Sequence, residues 1–268
     1  MKTHILSVDG KKGKQIDLPK FFSAIIREDI VAKVLEAKKI KQPYGPSALA
    51  GNQYSASGKI NHRRHVWKTH YGKGISRVPR KILTRRGRQM FWVGAVAPGT
   101  VGGRRAHPPK PYKNLTKKIN KKENRKAIRS ALAATMEKSL VEARGHSVPK
   151  EFPFIVNDSI TSLSKTKAAA QALGKLGFDA ELKRTAKKTI RAGKGKLRGR
   201  KYSRKTGPLI VVAQKCSLQK SADSIPGVEV VLVDELNPEM LAPGSVPGRL
   251  TLFTSSALDK MKKENLYK

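Results

Sequence analysis

No acidic residue occurs between Glu36 and Glu123 of this chain. From Ala37 to Lys122 there are 22 Lys and Arg side chains, and a second acid-free stretch, Lys183 to Lys205, holds 12 more. No other feature limits the fold as sharply. Like charges a few ångströms apart repel, and a buried charge without a partner is strongly destabilising, so neither stretch can supply a core. Outside them 23 basic side chains face all 19 acidic ones, the balance of an ordinary soluble domain. The net charge of +38 is therefore segregated rather than spread. The pattern predicts a near-neutral body carrying two cationic segments, whose repulsion is relieved by counterions or by a polyanion. Phosphates that displace the counterions would order the segments, and counterion release would drive the binding.

The rest of the composition excludes several classes. Cys216 is the one cysteine, so there is neither an internal disulfide nor a cysteine-rich zinc site, which suits a reducing cytosol. No apolar run approaches the roughly 20 residues that span a bilayer. The opening MKTHILSVDG lacks a signal-peptide core. Neither cationic segment carries a clean amphipathic stripe, and no membrane partner is expected.

Residues 4–8 and 15–18 read as strands joined by the turn DGKKGK. Helical spacing runs over 18–41, with Phe22, Ile25, Ile26, Ile30, Val31, Val34 and Leu35 on one face and Pro19 in the first turn. A second helical pattern covers 120–143, with Ile128, Leu132, Met136 and Leu140 at four-residue steps. A third covers 165–177 and ends at Gly177. The runs at 152–158, 208–214, 228–236 and 249–255 are apolar and largely β-branched, which predicts buried strands, and a last helix starts near Ser256. Apolar strands alternating with helices predict an α/β fold, a mostly parallel central sheet with helices on both faces. Residues 1–41 and 114–268 would form this body, and 42–113 a long extended cationic loop inserted after the N-terminal helices.

That insertion holds 10 of the 22 glycines, 7 of the 15 prolines and both tryptophans, with no persistent periodicity. So long a stretch without periodic structure is expected to be functional or disordered. Its aromatics, Tyr44, Tyr54, Trp67, Tyr71, Phe91, Trp92 and Tyr112, argue against plain disorder and suit stacking on unpaired bases. From Arg64 to Arg88 nine side chains are Lys or Arg, interrupted by glycines and Pro79. Arginine forks grip phosphate in two places, where lysine acts as a point charge.

Candidates for chemistry are weak. Asp9, Asp158 and Asp234 end strands, where α/β proteins place ligands, but turn and cap roles are the commoner use of Asp. Gly-Lys-Gly at 72–74 and 193–195 extends to no nucleotide-binding loop. His62, His65 and His70 have no acid nearby to complete a metal shell, and contact with phosphate or bases suits them better. Ser55 and Ser57 lie in no nucleophile elbow. No catalytic constellation is expected.

The stretches LPKFF, QPYGPSALAG, YSASG, YGKGISRVPR, GGRRAHPPK and RAGKGKLRGRKYSRKTGPLIVV, in that order, resemble the fourth protein of the large ribosomal subunit, the universal L-four family, in its archaeal and eukaryotic branch. Eukaryotic members carry a lysine-rich C-terminal extension, so the end at Lys268 favours an archaeal ribosome. The resemblance implies a non-enzymatic, cytoplasmic constituent of the large subunit that binds its RNA and supports early assembly. Its loop would reach the wall of the nascent-peptide exit tunnel beside a protein of the L-twenty-two family and meet the nascent peptide transiently. The tip would be Tyr71, Gly72, Lys73, Gly74, Ile75, Ser76 and Arg77. RNA-binding residues by the same resemblance are Arg63, Arg64, Trp67, Tyr71, Gly72, Lys73, Gly74, Arg77, Arg80, Arg85, Arg86, Arg88, Arg104, Arg105 and His107 on the loop. On the body they are Arg191, Lys194, Lys196, Arg198, Arg200, Lys201 and Arg204. No cofactor is implied, and Mg2+ accompanying the RNA would not be held by protein side chains. The apolar run MFWVGAVAPGTV at 90–101 has no role beyond stacking or packing between RNA segments.

Two rival readings remain from the residues alone. A sequence-indifferent, nucleoid-type binder would use the charge but has no need of the Gly, Pro and aromatic insertion. A nucleic-acid-modifying enzyme would want a carboxylate or cysteine beside the basic segments, and neither segment contains one.

Overall fold

A computed structural model describes residues 2–40, 61, 63–95, 98–103, 105–107, 113–149, 151–264 and 266–267. In chain order the strands are β1 (Lys2–Leu6), β2 (Lys12–Asp17), β3 (Arg80–Arg86), β4 (Gln89–Gly94), β5 (Phe154–Val156), β6 (Thr189–Ile190), β7 (Tyr202–Ser203), β8 (Leu209–Val212), β9 (Glu229–Leu232) and β10 (Thr251–Thr254). The α-helices are α1 (Glu28–Lys39), α2 (Lys121–Ala134), α3 (Lys138–Ala143), α4 (Thr166–Lys175), α5 (Asp179–Ala186), α6 (Ser217–Asp223), α7 (Pro238–Leu241) and α8 (Ser255–Lys263). The chain divides into two compact units, residues 1–39 with 118–268, and residues 40–117.

The larger unit is built on a six-stranded sheet in the order β2-β1-β5-β10-β8-β9. Every pairing from β1 to β9 is parallel, and only the edge strand β2 runs antiparallel. All four residues of β8 are fully buried, as expected of a strand covered on both faces. Their side chains alternate between two apolar clusters. Leu209 and Val211 pack with Leu35 of α1, Leu132 of α2 and Leu258 of α8. Ile210 and Val212 pack with Leu173 of α4 and Leu218 of α6. Each of these side chains contributes about 1.5–3 kcal/mol on leaving water. This is the mostly parallel α/β sandwich that the alternation of apolar strands and helices predicts.

The structure departs from the sequence expectations at the ends of elements. The helical spacing from Leu18 breaks into a short 3-10 turn, Lys20–Ser23, and an extended link before α1 begins at Glu28. The Arg27 N–H donates to Ser130 Oγ at 2.6 Å, which fixes that link against α2, and Glu28 and Asp29 then favour a helix start. Ile25, placed on the apolar face by spacing, is 84% exposed. The pattern over 120–143 is two helices, because Thr135 Oγ1 bonds back to the Leu132 carbonyl at 2.7 Å and Glu137 is extended. The strands at 152–158 and 228–236 are shorter than their apolar runs, and the second gives way to a 3-10 turn at Val233–Glu235.

The smaller unit is not without regular structure. β3 and β4 form an antiparallel hairpin whose last pair, Arg86 with Gln89, is closed by Gly87 and Arg88. Gly87 has φ +52°, which suits the first position of a two-residue hairpin turn. The pairing passes from Ile82 with Trp92 to Thr84 with Phe91, so Leu83 is an extra residue on one strand. That bulge shifts the alternation by one position and hides the strand from a periodicity reading.

Candidate nucleic-acid interface

In the smaller unit, the predicted tip lies in a turn. Gly72 and Gly74 have φ +72° and +66°, a region costly for other residues. The Tyr71 N–H donates to Thr69 Oγ1 at 3.2 Å. The guanidinium of Arg77 lies 5.0 Å from the centre of the Tyr71 ring, and that of Arg64 lies 5.8 Å away. His70, buried, stands 4.8 Å from the same ring. Arg80 reaches back to Ser76, with Nε donating to its carbonyl at 3.2 Å and Nη2 to its Oγ at 2.6 Å. Arg85 Nε donates to the Gly87 carbonyl at 2.8 Å. These contacts hold the cations in place through rings, hydroxyls and carbonyls. The sequence of this unit contains no carboxylate to neutralise any of them.

Arg63, Lys73, Arg86, Arg88, Arg105 and His107 are exposed, as are Arg64, Arg77 and Arg85, while Arg80 is half-buried. Trp67 is 53% exposed and lines a groove of about 600 Å³ together with Lys68, Lys73, Arg88, Phe91 and Trp92. Arg104 and His62 lie outside the described residues, as do Tyr44, Tyr54, Tyr112, Ser55 and Ser57.

In the larger unit, the second cationic stretch begins inside α5, which takes Lys183 and Arg184, and continues as a small hairpin of β6 and β7. Its end is a 3-10 turn, Lys194–Arg198, framed by Gly193 at φ +76° and Gly199 at φ +77°. The Arg191 N–H donates to the Lys201 carbonyl at 2.8 Å, and the Arg200 N–H to the Gly195 carbonyl at 3.1 Å. Arg191, Lys194, Lys196, Arg198, Arg200, Lys201 and Arg204 are thus carried on one short element, and all seven are exposed. None of them forms an ion pair among the described residues. Tyr202, not among the predicted site residues, lies with its ring centre 5.5 Å from both the Lys188 and the Lys201 ammonium groups. A tyrosine within a basic run was the available signal.

The strand-end carboxylates and one buried glutamate of the larger unit have structural partners. Asp158 accepts from Ser255 Oγ at 2.9 Å, the Ser256 N–H at 3.0 Å and Ser256 Oγ at 2.6 Å, and so closes the start of α8. Asp9 pairs with Lys175 at 2.6 Å and Asp234 with Lys260 at 2.5 Å. The fully buried Glu181 accepts from Arg184, from His146 Nδ1 at 2.7 Å and from the Ser147 N–H at 3.0 Å. Burial pushes its carboxyl up, but the Arg184, His146 and Ser147 bonds outweigh burial and hold it lowered to about 2. Burial lowers His146, so the imidazole is neutral at neutral pH. Among the described residues no group of three His, Cys, Asp or Glu side chains could hold a metal ion. No helix among them is long and apolar enough to cross a membrane.

The structure is thus that of an α/β protein in which each of the two units carries a glycine-framed turn of exposed cations with no carboxylate in it. The profile described as "Ribosomal protein L4/L1 family" matches residues 16–264. "Large ribosomal subunit protein uL4" of Nanoarchaeum equitans is 45% identical over 270 residues, covering 100% of both chains. Proteins of the same name from Archaeoglobus fulgidus and Methanococcoides burtonii are 41% and 44% identical, each over 97% of both chains. The chain belongs to the ribosomal protein L4/L1 family, a family of ribosomal proteins and not of enzymes.

Proposed function

We propose that this chain is a cytoplasmic constituent of the large ribosomal subunit that binds large-subunit RNA through both cationic segments and supports early subunit assembly. The observation that carries this reading is two separate glycine-framed turns, rich in exposed cations and empty of carboxylates, on a chain whose core stands without them. Such turns fit places where RNA strands pack closely and phosphates need neutralising. Arg77, Arg80, Arg85 and Arg86 serve that role on the loop, and Arg191 to Arg204 on the body. The stretch Tyr71 to Arg77 contributes to the wall of the exit tunnel, beside a protein of the L-twenty-two family and in passing contact with the nascent peptide. The protein needs no cofactor of its own, and Mg2+ at the interface belongs to the RNA.

A lysate run on a sucrose gradient in moderately high salt tests the reading. The protein is expected to sediment in stoichiometric amount with the large subunit and to resist the wash. Release by salt, or sedimentation with DNA, would favour the sequence-indifferent binder instead.

A further inference from the structure

The run at 90–101 is the sequence feature that charge neutralisation does not use. Its first residues form β4, and an open groove of about 600 Å³ lies between β4 and the turn that carries Trp67. Both tryptophans of the chain line this groove. Trp67 and Phe91 are more than half exposed, an unfavourable placement for rings in a free protein. Lys68, Lys73 and Arg88 also line it, and no carboxylate does. A protein segment seated there would have to be acidic as well as apolar. One unpaired nucleotide of RNA meets both demands with a single unit, since its base offers a flat π-face and its phosphate a negative charge.

We propose that this groove is a binding site for one unstacked nucleobase of RNA, held against Trp67, with its phosphates met by Lys73 and Arg88. The proposal rests on the reading of the chain as an RNA-binding protein and deepens it. The hairpin recognises a bulged or looped-out nucleotide, beyond neutralising backbone. Aromatic stacking of one base is worth between about fivefold and a hundredfold in affinity.

The full-length protein is titrated with a fully paired RNA hairpin and with the same hairpin carrying a single bulged A, C, G or U, at one fixed salt concentration. A bulged hairpin is expected to bind at least about fivefold tighter than the paired one and to quench tryptophan fluorescence more strongly. Trp67→Leu is expected to abolish that preference, and Trp67→Phe to retain most of it. Trp92 remains as the reporter in both variants, and the exposure of Trp67 makes neither change a threat to folding. Equal binding and equal quenching by paired and all bulged hairpins would overturn the nucleobase site while leaving RNA binding intact. Binding of neither RNA above a DNA duplex of the same length would overturn the RNA reading and this site together.

Discussion

At the scale of single residues, the larger unit is held by a few polar groups in an apolar setting. Glu181 titrates at about 2 when folded and in the ordinary carboxylate range when unfolded, so the unfolded chain binds its proton more tightly. The stability it contributes is fully present above the unfolded value of 4.5 and is lost as pH falls through about 2. His146, lowered by burial, acts in the same direction, because below about 6.5 the unfolded imidazole takes a proton that the folded one resists. Urea unfolding followed from pH 7 to pH 3 is therefore expected to show a steady loss of stability, and Glu181→Gln should flatten its acid limb. The same substitution should cost about 3 kcal/mol at pH 7, since Arg184 loses its buried partner. A second site is Gly207, where an added Cβ would lie 2.8 Å from the Gly227 carbonyl oxygen and 2.8 Å from Thr185 Cγ2. Gly207→Ala is expected to lower the unfolding free energy by about 1–3 kcal/mol. Neither role was legible in the sequence. Glu181 meets His146 across 35 positions, and Gly207 reads there only as the end of a basic run.

At the scale of elements, the apolar strands of the sheet were readable because each is short, continuous and bounded by turn residues. Their order was not, since β10 enters last and inserts between β5 and β8. The cationic hairpins were legible as charge and illegible as structure. In β3 and β4 the bulge at Leu83 breaks the alternation. In β6 and β7 the strands are two residues each, shorter than any periodic signal. The turn between them is glycine-framed and buries none of its side chains, so they can be replaced without touching the core. Arg198→Ala with Arg200→Ala is expected to leave the urea midpoint of the full chain unchanged. If each side chain neutralises one phosphate, the log–log salt dependence of RNA binding should fall by roughly 0.7–0.9 per residue removed. An unchanged slope with weaker binding would assign these side chains to something other than phosphate.

At the scale of the whole molecule, segregation of charge explains the architecture. The buried members of the two apolar clusters all lie outside the acid-free stretches, which add only margins to the body: Ile119 packs against one cluster, and Arg184 pairs with the buried Glu181. This division was visible from the positions of 19 acids, before any element was assigned. Charge reversal at Arg77 or Arg80 is accordingly expected to slow assembly of the large subunit while circular dichroism and urea unfolding stay as in the parent. Loss of folding in those variants would mean that the loop supports the body.

The central claim is that both cationic segments face large-subunit RNA. A photoreactive amino acid placed at Lys73 in one variant and at the exposed Leu197 in another, cross-linked in cells and read by sequencing the attached nucleic acid, tests it directly. The account predicts that each position maps to its own restricted site in large-subunit ribosomal RNA. Cross-links scattered over DNA or over unrelated RNAs would contradict it.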